Sequence, residues 1–176
     1  MSAPGVPAKT AVNNVILIGM PAAGKSTVGV LLAKTRVMDF LDTDLLLQKE
    51  GGASLETLID REGEDAFLTR EGTLLSGLTA RNTVIATGGS AVYSEAGMRH
   101  LKDLGTVLYL KISESEVTAR VGDLHHRGVI LHGCPDLAAL YRERTRLYER
   151  WADVTADLSG LDTAGALRAM LTALDT

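Results

Sequence analysis

The sequence has one cysteine, Cys134, in 176 residues. That excludes an internal disulfide framework and suits a reducing compartment. No apolar run approaches the ~20 residues that span a bilayer, and no signal-peptide pattern precedes the first buried run. A cytoplasmic protein without a membrane partner is expected. Positive charge is not in excess either, with 18 Lys and Arg against 22 Asp and Glu. Attraction to nucleic acid is therefore not expected, and an anionic ligand needs a local site. Prolines number four, two of them in "MSAPGVPAKTAV", so residues 1–12 read as a flexible tail. Beyond that tail there is no internal repeat and no low-complexity segment.

What is present is ordinary in bulk, with 45% hydrophobic and 23% charged residues. That length suits a single domain, over 13–176, with a sizeable core. Short apolar runs predict strands at 15–18, 39–41, 83–87 and 107–111, and a weaker one at 153–157. Helical patterns fall at 24–35, 54–60, 64–80, 94–103, 115–121, 137–151 and 163–174. This alternation predicts an α/β fold whose parallel sheet is covered by helices on both faces, three layers in all. Ligands in such folds gather at the carboxyl ends of the strands.

One such end carries "GMPAAGKST", from Gly19 to Thr27. Gly-x-x-x-x-Gly-Lys-Ser between a strand and a helix is a phosphate-binding loop. Gly19 and Gly24 let the backbone curl, so that the amides of Ala22, Ala23, Gly24 and the residues to Thr27 surround an anion. Lys25 reaches the outer phosphates, and the Ser26 hydroxyl is placed to ligate Mg²⁺. The helix N-terminus adds partial positive charge.

"FLDTD" ends the second strand with Asp42 and Asp44. Side chains two apart on a strand share a face, so both carboxylates are expected in one cleft. One would hold Mg²⁺ and the other would orient or deprotonate an attacking hydroxyl. Asp44 also precedes "LLLQ" and could instead cap a helix. "VIATGGS" ends the third strand with Gly88 and Gly89, where backbone can approach a ligand closely.

On "LAALYRERTRLYERW", Arg144 falls within an apolar stripe running from Leu137 to Trp151. A guanidinium on an inward face needs an anion, either a ligand or a protein carboxylate. Glu71, on the apolar face of "FLTREGTLLSGL" with Phe67, is a candidate to pair with it or to line the acceptor pocket beside it. Six arginines against four acids between Arg120 and Arg150 concentrate positive charge, as phosphoryl transfer requires. The irregular segment 122–135 reads as a lid. Its His125, His126, His132 and Cys134 fit no common zinc spacing.

Together "GMPAAGKST", "FLDTD", "GEDAF", "TGGS", Arg127 and "RTRLYERWA" resemble the shikimate kinase family, in order from about Asn14 to Trp151. The resemblance implies a P-loop kinase fold with five parallel strands in the order 2-3-1-4-5 and a mobile lid. It implies ATP- and Mg²⁺-dependent transfer to a hydroxyl of a small carboxylate-bearing acceptor, by a monomer. Asp44 would hold that hydroxyl, Asp42 would sit near Mg²⁺, and Gly88 and Gly89 would contact the acceptor. Arg127 would close over the phosphates, Arg120 would stack on adenine, and Arg144 would bind the carboxylate. The pattern is broken at Leu68, where the family typically has an arginine, and at Ile59, Ser90 and Gly128. A homoserine-like or gluconate-like acceptor, or a nucleotide-binding regulator without turnover, is the other reading. No Asn-Lys-x-Asp segment suggests a GTPase.

Overall fold

Segments of four to seven residues, mostly apolar in the centre and mixed at the two edges, become the strands of one sheet. The computed structural model describes residues 13–122 and 128–176. Its strands are β1 (Asn14–Ile18), β2 (Asp39–Asp42), β3 (Thr83–Ala86), β4 (Gly105–Lys111) and β5 (Val154–Asp157). All neighbours are parallel, in the order β2-β3-β1-β4-β5, as the resemblance implied. The tail (1–12) and residues 123–127, which include Arg127, His125 and His126, lie outside the described residues.

The central strands read as nearly continuous Val, Ile and Leu because helices cover them. Ile16, Leu17, Ile85, Val107 and Leu108 have no exposed surface. The covering helices are α1 (Lys25–Arg36), α2 (Thr43–Gly51), α3 (Leu55–Glu62), α4 (Glu64–Gly77), α5 (Glu95–Leu104), α6 (Glu114–Val121), α7 (Leu137–Trp151) and α8 (Thr163–Leu174). At the amino end of the sheet a buried Asn14 side chain donates to Ala80 O and Leu104 O and accepts from Thr83 N. One amide thus pins two loops and a neighbouring strand.

The carboxyl end matters more. Leu17 and Asp42 are both in register with Ala86, so β1, β2 and β3 finish level and side by side. The loops that leave them must share one space.

The chain departs from the sequence reading after Asp42. The strand stops there and α2 begins, the helix that "LLLQ" offered as the alternative to a second carboxylate on the strand. The cap is Asp42, not Asp44: its Oδ1 accepts from the amides of Asp44 (2.9 Å) and Leu45 (3.4 Å). Strand alternation therefore does not place Asp44, which sits in the first turn of a helix. A second, smaller apolar cluster of Leu47, Leu58, Phe67 and Ile130 joins α2, α3 and α4.

Candidate active site

The phosphate loop is built as its glycines require. Gly19 leaves β1 at φ +151°, and a Cβ there would lie 2.6 Å from Leu110 O. Gly24 takes φ +87° and opens α1 with no side chain capping its amides, so those N–H groups stay available to an anion. Lys25 is buried, and its Nζ donates to Gly19 O (2.7 Å) and Met20 O (2.8 Å). Burial holds the ammonium down to about 8, against the pull of Asp44.

Asp42 and Asp44 reach the same space by different routes. Ser26 Oγ donates to Asp42 Oδ2 at 2.5 Å, so a hydroxyl and a carboxylate oxygen stand together at the helix start. Such hard oxygen donors, two from protein with room for water, suit Mg²⁺. Ser26, Asp42 and Asp44 border a groove adjoining the main cleft. Burial raises Asp44 to about 6, with Lys25 opposing and Asp42 adding to the shift.

The loop after β3 is packed so closely that a Cβ on either of its glycines would have to displace side chains of the site. A Cβ on Gly88 would lie 2.6 Å from Glu71 Oε1 and 2.7 Å from Asp44 Oδ1. A Cβ on Gly89 would lie 2.9 Å from Arg144 Nη1, and Gly89 O accepts from the buried Tyr148 hydroxyl at 2.7 Å. Ser90 donates to Glu71 Oε2 at 2.6 Å. Glu71 Oε1 has no hydrogen-bond partner among the described residues, and burial pushes this carboxyl up to about 7.

Arg144 is 1% exposed. Nη2 donates to Ile130 O at 2.6 Å and Nε to the Tyr93 hydroxyl at 3.4 Å. Among the described residues no ion pair joins it to Glu71, so of the two partners expected for it the protein carboxylate is not the one found. The guanidinium keeps donor capacity toward the cleft.

That cleft has a volume of about 470 Å³. Of the residues singled out from sequence, Ala22, Gly24, Lys25, Ser26, Thr27, Asp44, Phe67, Gly88, Gly89 and Arg144 line it. Gly19, Ala23, Asp42 and Glu71 stand behind or beside it. Arg120 is at its rim, with Nη1 3.4 Å from Ala22 O and Nη2 paired to Glu116. The cleft also takes Pro21, Leu55, Ser90 and Gly128 to Ile130, which the sequence reading did not name as site residues. His132 and Cys134 both contact Glu143.

Comparison with known proteins then decides the family. The shikimate kinase family profile matches residues 21–174. The chain belongs to the shikimate kinase family. The shikimate kinase of Thiobacillus denitrificans is 36% identical over 166 residues, 93% of this chain and 91% of that protein. The shikimate kinase of Acinetobacter baumannii, solved in complex with shikimate, superposes with a TM-score of 0.78 at 29% identity over 95% of this chain and 93% of that one. The Aquifex aeolicus shikimate kinase gives 0.79 at 28% identity over 92% and 96%. Membership makes the chain an ATP-dependent kinase with an alcohol group as acceptor. In this shikimate kinase family member, Leu68 packs against the small apolar cluster and does not line the cleft. It lies one helical turn before Glu71, within side-chain reach of it. No helix among the described residues is long and apolar enough to cross a membrane.

Proposed function

We propose that this chain transfers the γ-phosphoryl group of ATP to a hydroxyl of shikimate. The observation that carries the reading is one cleft holding the phosphate loop with Lys25 at one end, a carboxylate, Asp44, between, and at the other Arg144, which has no ion pair among the described residues. Lys25 and the amides opening α1 hold the outer phosphates. Ser26, with Asp42 directly or through water, would hold Mg²⁺, which offsets charge on the phosphate oxygens. Asp44 orients the acceptor hydroxyl and takes its proton as the new O–P bond forms and the bond to the departing diphosphate oxygen breaks. Arg144 receives the acceptor's carboxylate, and Gly88 and Gly89 let the ring approach backbone. Arg120, at the rim beside Ala22, is placed for the base of the nucleotide. Arg127 completes the phosphate grip on the strength of the family resemblance. An amino-acid or sugar-acid acceptor, or a regulator without turnover, is not favoured.

ADP release on adding shikimate and ATP tests the reading directly. Arg144→Lys keeps the charge and loses the fork, so KM for shikimate should rise about 10- to 100-fold with KM for ATP unchanged. An unchanged shikimate KM would remove Arg144 from the acceptor site.

Leu68 offers no donor, so Arg144 alone grips the acid group and KM for shikimate should be high for the family. Leu68→Arg should lower it about tenfold while sparing kcat, because the added contact is made in ground and transition states alike. The new guanidinium would also reach the bare Oε1 of Glu71. An unaltered KM would show that position 68 does not face the acceptor.

A further inference from the structure

A buried cation that has no carboxylate partner among the described residues must be held in place by other groups, and for Arg144 Tyr93 is the centre of them. Tyr93 ends the short 3-10 turn Ala91–Tyr93 that follows the Gly88–Ser90 loop. Its hydroxyl accepts from Arg144 Nε at 3.4 Å and donates to Glu143 Oε1 at 2.7 Å. The Arg144 guanidinium also lies 5.3 Å from the centre of the Tyr93 ring, close enough for a cation–π contact. On that same ring His132 stacks, with centroids 4.0 Å apart.

Glu143 is held in turn. Besides Tyr93, Oε1 meets His132 Nδ1 at 3.2 Å, and Oε2 accepts from Cys134 Sγ at 3.3 Å. The Tyr93 hydrogen bond, followed by those of Cys134 and His132, keeps this carboxyl below its usual range. It is therefore an anion that polarises the phenol, and a polarised hydroxyl oxygen is a better acceptor for the guanidinium N–H. None of Tyr93, His132, Cys134 and Glu143 lines the central cleft.

We propose that Tyr93 is a positioning residue for Arg144, fixing the guanidinium for the acceptor carboxylate, with Glu143 as its anchor and His132 and Cys134 holding Glu143. The inference rests on the reading of Arg144 given above. It ties the segment that roofs the cleft, through His132 and Cys134, to the side chain that grips the acceptor.

Tyr93→Phe keeps the ring and its two face contacts and removes only the bridge. KM for shikimate should rise about 2- to 10-fold, with kcat and KM for ATP unchanged. Glu143→Gln should move shikimate KM in the same direction. The double variant should be no worse than Tyr93→Phe alone, because Glu143 acts through the hydroxyl. The readout is the ratio of two KM values on folded enzyme, so a lowered melting temperature does not obscure it. A shikimate KM unchanged in Tyr93→Phe, an equal rise in KM for ATP, or additive losses in the double variant would overturn the proposal. If Arg144→Lys also leaves shikimate KM unchanged, the failure lies in the acceptor reading itself, and the role of Tyr93 falls with it.

Discussion

Lys25→Met should lower kcat by at least about 10²–10³-fold, the usual cost of removing one preorganised donor from developing charge. The stem of Lys25 is buried and methionine approximates its volume, so the fold should survive. Only the ammonium goes, and with it a side-chain donor that links the loop carbonyls Gly19 O and Met20 O. In the resting loop those two carbonyls satisfy the charge, and phosphate oxygens must compete with them. A residue that served packing alone would leave turnover intact. Single-turnover transfer at saturating ATP separates the outcomes, and wild-type rates in the methionine variant would remove the kinase reading altogether.

Asp44→Asn should cut kcat by about 10²–10⁴-fold and scarcely affect ATP binding, because the amide can still orient a hydroxyl but cannot take its proton. The pH profile gives a second, independent check. Asp44 works as the carboxylate, and burial raises it to about 6. Activity should therefore be present above that pH and decline as pH falls through it. Lys25 works as the ammonium and is held down to about 8. In the free enzyme kcat/KM for ATP should decline as pH rises through that value. Glu71, at about 7, titrates in the same interval. Loss of the acid limb in Asp44→Asn, and its survival in Glu71→Gln, would assign it to Asp44. Weaker ATP binding with full turnover at saturation would make Asp44 a nucleotide-side residue instead.

Local chemistry explains which parts of this site were legible in the sequence. The phosphate loop was, because positive φ at Gly19 and Gly24 and a lysine at a helix start leave a spaced signature in seven residues. The sheet was, because strands buried on both faces must be runs of Val, Ile and Leu. Arg144 was, because a charge within an apolar stripe contradicts its surroundings. The helix after Asp42 was legible only as an alternative with the wrong cap: "TDLLLQ" carries no clear 3–4 periodicity, and the cap is Asp42, the residue expected near metal. The partners of Glu71 were hidden for another reason. Ser90 lies 19 residues along the chain, and nothing in local spacing announces a contact set by α4 packing against the loop that leaves β3. Tyr93 and Glu143 are separated by 50 residues, and an exposed-looking glutamate next to a buried arginine reads as solvated surface.

The Ser90–Glu71 contact also governs the routes by which this pocket can change. Glu71 is 2% exposed and has one oxygen satisfied and one bare. Replacing Ser90 with glycine first would leave both oxygens without a protein hydrogen-bond donor among the described residues, a burden of about 1–3 kcal/mol. Placing arginine at 68 first supplies a new partner, after which the serine is dispensable. Positions 68 and 90 are two of the places where this pocket departs from the family pattern, and changes at them are not interchangeable in order. Arginine before glycine leaves Glu71 with a hydrogen-bond partner throughout, whereas glycine before arginine passes through a buried carboxyl that has lost its serine donor.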